Sequence, residues 1–106
     1  MVVRFDNYAK FMETRESEKY GKYNWYRWMV FVDEDDQTLE KIEYVQYLLH
    51  PTFRDPKRTV YDRKSKFALV SYGWGEFTIF ITVRFKDGTE DETTYFLNLR
   101  KRWPEE

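Results

Sequence analysis

The chain has 106 residues, 18 basic and 19 acidic, a formal net charge of −1 and no cysteine. That length fits a single domain, 1–106. The charge balance gives no general attraction to nucleic acid or an anionic membrane, and the missing thiols exclude disulfides and Cys-based metal or nucleophile chemistry.

No apolar run approaches the ~18 residues of a membrane span, and the first residues, Met1-Val2-Val3-Arg4-Phe5-Asp6, lack the apolar stretch of a signal peptide. A cytoplasmic protein is expected, or a nuclear one if the chain is eukaryotic. Aromatics make up 21% of the residues. Each such side chain buries roughly 150–250 Å², enough to build a small core and leave rings for a surface site.

In chain order, Val2–Phe11 reads as an edge strand. Glu13–Lys22 is charged and polar, with Gly21 near its end, and reads as a loop. Trp25–Val32 is a strand with Trp28, Val30 and Val32 on one face. Asp33-Glu34-Asp35-Asp36 ends it as a solvated hairpin loop, since acids are poor strand formers. The run has no central glycine, so it does not fit a calcium loop. In Glu40–Leu49, Val45, Tyr47 and Leu49 share a parity that Ile42 breaks. A β-bulge near Glu43 or Tyr44 would return Ile42 to the core. The spacing of Ile42, Val45 and Leu49 also suits a helix; Val, Ile and two Tyr within ten residues favour a strand.

Phe67–Val70 is a short strand leading to a tryptophan turn. Phe77 to Phe85 alternates strictly, with Phe77, Ile79, Ile81, Val83 and Phe85 on the buried face. Lys86-Asp87-Gly88-Thr89 makes a tight turn, and Thr93–Leu99 returns as the partner strand. Short strands separated by turn signals predict an all-β fold, an immunoglobulin-like antiparallel β-sandwich.

Two clusters stand out against this background. Leu49-His50-Pro51-Thr52-Phe53 and Gly73-Trp74-Gly75-Glu76-Phe77 each present aromatic or hydroxyl groups at a strand end. They suggest an aromatic-walled slot between loops, suited to binding rather than cleavage. His50, the single histidine, would need a nucleophile to act as a catalytic base. Ser17, Ser65 and Ser71 lie in nothing like a nucleophile elbow. No enzymatic activity and no cofactor are expected, and His50 reads as a brace for its loop. The basic groups Arg54, Lys57 and Arg58, then Arg63, Lys64 and Lys66, then Arg100, Lys101 and Arg102 beside Trp103 read as surface charge. A nucleic-acid role for them would show as a steep salt dependence.

The succession Trp28-Met29-Val30-Phe31-Val32, Leu49-His50-Pro51-Thr52-Phe53, Pro56 and Arg58, and Gly73-Trp74-Gly75-Glu76-Phe77-Thr78-Ile79 resembles a YEATS domain over nearly the whole chain. The wording is closer to the prokaryotic YEATS-like branch. The resemblance implies an immunoglobulin-type sandwich whose loops form an open aromatic channel for acylated lysine. It places His50, Thr52, Phe53 and Trp74 in that channel, with Thr52 where the eukaryotic motif usually has serine. The family's additional aromatic falls at Asn24, and Tyr23, Trp25 or Tyr26 can supply a wall in its place. An acid near the channel falls at Asn98, without the charge.

Physically, a flat acylamide would stack between Phe53 and Trp74, with the Thr52 hydroxyl as polar contact. Gly73 and Gly75 would permit close approach. The expected partner is an acylated peptide or protein segment. The alternative is a protein–protein docking or scaffold domain that keeps the fold without the ligand. Exposed Tyr44 and Phe80, if they form one patch, would favour it.

Overall fold

A computed structural model describes residues 2–19 and 21–104. Two antiparallel sheets pack face to face. The first has the order β1-β2-β5, from β1 (Phe5–Ser17), β2 (Gly21–Val32) and β5 (Leu69–Gly73). The second has the order β4-β3-β6-β7, from β3 (Ile42–Leu48), β4 (Lys57–Val60), β6 (Thr78–Phe85) and β7 (Glu90–Phe96). This is the immunoglobulin-like sandwich that the alternation implied.

The core lies between the sheets. β2 contributes Trp28, Val30 and Val32; β3 contributes Val45 and Tyr47; β6 contributes Ile79, Ile81 and Val83, all buried. Full burial of each aliphatic side chain stabilises by roughly 1.5–3 kcal/mol. Phe77, expected to be buried with them, lies just before β6 and is half-buried at the sandwich end.

Polar contacts tie the layers together. The buried Tyr47 hydroxyl donates to the Phe67 carbonyl at 2.7 Å. Buried Asn7 donates through Nδ2 to the Asn98 carbonyl at 2.9 Å and accepts the Asn98 N–H at 3.1 Å.

The bulge in β3 is present. Ile42 pairs with Phe85 and Tyr44 with Arg84, leaving Glu43 as the extra residue and Ile42 buried. Other boundaries differ from expectation. Glu13–Lys22 is not a loop: β1 continues to Ser17 and β2 starts at Gly21, so most of it is hairpin ladder. Cross-strand contacts, such as Arg15 over the Trp25 ring at 4.3 Å, stabilise strands that look too polar when read singly. Tyr20, within that predicted loop, lies outside the described residues.

The acidic run does not form a plain hairpin loop. Asp35 caps a one-turn helix, α1 (Asp36–Glu40), accepting the Thr38 N–H at 3.0 Å. The strand expected over Phe67–Val70 is displaced to Leu69–Gly73, because Phe67 takes a φ of 55° as the chain enters it. The strand expected over Thr93–Leu99 is Glu90–Phe96, although Leu97 and Leu99 are buried. β4 was not foreseen; its pairing with β3 is what makes Lys57–Val60 a strand.

Candidate functional site

Two loops meet at one end of the sandwich, where β3 ends, β5 ends and β6 begins. The first is tied at its base by the Leu49 N–H, which donates to the Pro56 carbonyl at 2.8 Å. Inside it, the Phe53 N–H donates to the His50 carbonyl at 2.9 Å, closing a tight turn. The Thr52 N–H donates to His50 Nδ1 at 3.2 Å, and Thr52 Oγ1 lies 2.9 Å from the same nitrogen. A backbone N–H can only donate, so Nδ1 is an acceptor in this arrangement. The Thr52 hydroxyl then points its proton at the ring and keeps its oxygen lone pairs for another donor. His50 thus orients its own loop. Arg58 adds a second brace, donating through Nη2 to the Arg54 carbonyl at 2.8 Å.

The second loop follows β5. Gly73, the last β5 residue, pairs with Tyr26 and is buried. A Cβ there would sit 3.6 Å from Phe53 Cζ and 3.6 Å from Trp28 Nε1. The missing side chain of Gly73 thus lets the second loop lie against the Phe53 ring of the first. Trp74 follows, 44% exposed, its ring 5.5 Å from that of Tyr23.

Between the loops lies a cavity of about 470 Å³. His50, Thr52, Phe53 and Arg54 of the first loop line it. Trp25 of β2 and residues 72–77, from the end of β5 through the second loop to Phe77, complete the lining.

Phe53 stands on a rigid base, with ring centroids 5.2 Å from Phe77 and 6.3 Å from Trp28. The Phe53 wall is continuous with the core, whereas the Trp74 wall faces solvent. Glu76 is the carboxylate of the cavity, and its Oε2 accepts the Leu99 N–H at 2.9 Å.

The structure thus gathers His50, Thr52, Phe53, Gly73, Trp74 and Gly75 around one groove. Of the three candidate extra walls, Trp25 lines it. Tyr23 stacks against Trp74, and Tyr26 packs against Phe11 at 5.8 Å. Asn98 is not among the lining residues; its side-chain oxygen accepts the Arg100 N–H at 2.9 Å. Sequence reasoning missed Arg54, Tyr72, Glu76 and Phe77 as lining residues. Three of these adjoin residues it had chosen, but a lining role depends on how the two loops meet.

The basic groups are dispersed. Arg63 pairs with Glu40 at 2.8 Å, Lys101 pairs with Asp6, and Arg27 lies 5.2 Å from the Trp103 ring. No helix among the described residues is long and apolar enough to cross a membrane.

Comparison with known proteins agrees with this picture. The model of the prokaryotic YEATS domain matches residues 26–98, from inside β2 to just past β7. The Yaf9 YEATS domain solved "recognizing H3K122suc peptide" is 26% identical over 93% of this chain and 78% of that chain, with a TM-score of 0.67. The yeast AF-9 homolog protein Yaf9 is 27% identical over 92% of this chain and 72% of its own, with a TM-score of 0.66. Transcription initiation factor TFIID subunit 14 of Schizosaccharomyces pombe is 39% identical over 56 residues, 52% of this chain. That match spans only 22% of the relative's length.

Proposed function

Because the chain belongs to the prokaryotic YEATS domain family, we propose that the groove between the His50 and Trp74 loops binds an acylated lysine presented by a peptide or protein segment. The domain is on this reading a non-enzymatic recognition module. One observation carries it: a single open cavity joins the core-anchored ring of Phe53 to the solvent-facing ring of Trp74. A flat acylamide fits between two such walls, each face contributing roughly 0.5–1.5 kcal/mol beyond area burial. The Thr52 oxygen accepts the amide N–H. The recognition of an H3K122suc peptide by the structurally similar Yaf9 domain supports a lysine acyl group as the ligand class.

Titration of the labelled domain with acetyl-lysine, crotonyl-lysine and unmodified lysine peptides tests the reading. Crotonyl should bind at least as well as acetyl, because its conjugated plane extends the stack. Unmodified lysine should bind poorly, since an ammonium replaces the amide. Trp74→Ala should abolish binding and leave the fold intact, because Trp74 sits half-exposed on a turn. Resonances near Trp74 that stay unmoved by every acyl form would refute the reading.

A second reading has its own observation. Leu48, Phe80 and Phe96 are 43%, 57% and 59% exposed. Leu48 faces Phe80 across β3–β6, and Phe96, opposite Thr78, lies diagonal to Phe80 across β6–β7. Tyr44 is not part of this patch: it pairs with Arg84 and packs on Tyr61, beyond the Gln46–Thr82 row. An apolar patch of this kind suits docking onto another protein.

A further inference from the structure

β1 pairs with β2 along its entire length, from Phe5↔Val32 to Ser17↔Gly21. On its other side, β2 is covered by β5 only from Tyr26 to Val30. Residues 21–25 of β2 therefore overhang the sheet, and no strand among the described residues pairs with them there. The open edge is about 16 Å long.

Two hydrogen bonds fix which backbone groups face it. The Val32 N–H donates to the Lys66 carbonyl at 2.9 Å, on the β5 side. The Asp33 N–H donates to the Arg4 carbonyl at 2.8 Å, on the β1 side. Successive residues of an antiparallel strand alternate sides. Trp28 and Tyr26 thus face β5, and Asn24 and Lys22 direct their N–H and C=O groups to the open edge. Gly21, Tyr23 and Trp25 are spent on β1. The register shift of this hairpin lies on β1, between Phe11 and Glu13, so β2 stays in phase.

The edge begins at the groove. Trp25 and Gly73 both line the cavity, and Gly73 is the last β5 residue opposite β2. A chain leaving the groove in line with β5 would run antiparallel to β2 and meet Asn24 and then Lys22.

We propose that the overhanging edge of β2 takes the peptide segment C-terminal to the acylated lysine as an added strand. The inference rests on the groove reading. The occupant is an extended peptide because unpaired main-chain donors and acceptors recognise main chain, whatever its side chains. The groove then selects the acyl group, and the edge adds affinity with little sequence preference. It also sets a direction: β5 approaches β2 antiparallel, so its continuation runs C-terminally away from the groove.

Three probes test this: capped crotonyl-lysine alone, capped crotonyl-lysine followed by four alanine or threonine residues, and the same four residues placed before it. Affinity should rise at least about twentyfold for the C-terminal extension, from the two bonds at Asn24 at about fivefold each, and hardly at all for the N-terminal one. Asn24→Pro removes one edge N–H and no backbone bond to β1; the Thr14 hydroxyl's bond to the Asn24 side chain is lost equally in Asn24→Ala, which therefore serves as its control. The proline variant should lower affinity for the C-terminal extension about fivefold, with capped crotonyl-lysine unaffected and Asn24→Ala neutral. Should the proline variant fail to fold, the intact protein can be tested with peptides N-methylated at single positions. Losses should then follow one parity along the peptide.

Equal affinity for the three probes overturns the edge and leaves the groove standing. A gain from the N-terminal extension alone also overturns it, as does a free chain whose sedimentation shows the edge already paired with a second copy. A chain that binds none of the probes overturns the groove reading and the edge with it.

Discussion

Gly73 separates the two loops of the groove by the width of a missing side chain. Added as alanine, its Cβ would make ordinary contacts at 3.6 Å with Phe53 and Trp28, so the fold has room for it. The same methyl would take up space in the groove that Gly73 lines, beside the Phe53 ring. Gly73→Ala should therefore weaken crotonyl-lysine binding severalfold while the melting temperature stays nearly constant. Gly75 lines the same cavity, yet nothing lies within 4 Å of its Cβ position. Gly75→Ala should change neither property, and parallel titration of the two variants checks the contrast. Tyr47 illustrates the other kind of residue. Its hydroxyl donates to the Phe67 carbonyl inside the core, and burial pushes the phenol well above its ordinary range. Tyr47→Phe leaves that carbonyl without its partner and should destabilise by about 1–3 kcal/mol in chemical denaturation.

At the scale of elements, the β6–β7 turn is held by one carboxylate. Asp87 accepts from the Thr89 hydroxyl at 2.6 Å and from the Thr89 N–H at 2.9 Å. These two bonds, the hydroxyl's first, hold the Asp87 carboxyl below its ordinary range. A carboxyl whose folded pKa is depressed stabilises above its unfolded pKa, and that stability is lost as pH falls through the folded value. Thr89→Val removes the stronger bond. The variant should lose stability near neutral pH and converge with the parent as pH falls through the depressed pKa of Asp87, as melting temperatures followed from neutral to acid pH would show. The β1–β2 hairpin is stabilised differently, by Arg15 over Trp25 and by the Thr14 hydroxyl donating to Asn24 Oδ1 at 3.1 Å.

Across the whole molecule, which measures 49 × 30 × 19 Å, the features proposed for recognition share one end. The groove, the overhanging edge of β2 and the patch of Leu48, Phe80 and Phe96 all lie where β3 and β5 finish and β6 starts. The opposite end carries α1 and the Asp87 turn, joined by Lys86 reaching Glu40 at 3.5 Å. If a partner protein spans both the patch and the groove, the double change Phe80→Thr and Phe96→Thr should weaken its binding and leave capped crotonyl-lysine affinity unaltered. Calorimetry with each ligand separates these outcomes. Both substitutions place a β-branched residue of good strand propensity on an exposed strand face, so the fold should persist.

The sequence by itself determined the sandwich and most of its core. Period-two alternation in β2, β3 and β6 is a local property, and a strand that buries one face must display it. Even the bulge at Glu43 was legible, because once the segment is read as a strand Ile42 reaches the core only through a shift of register. The membership of the groove was partly legible too, since His50, Thr52, Phe53 and Trp74 lie within two short motifs. Tertiary structure decided the rest. The polar segment from Glu13 to Lys22 became strand through cross-strand pairing that no single segment encodes, and β4 exists only because β3 offers it an edge. Glu76, Arg54, Tyr72 and Phe77 line the groove because two loops distant in sequence converge at Gly73. The open edge at Lys22 and Asn24 arises from the difference in length between β1 and β5, and that difference appears only once both have paired with β2.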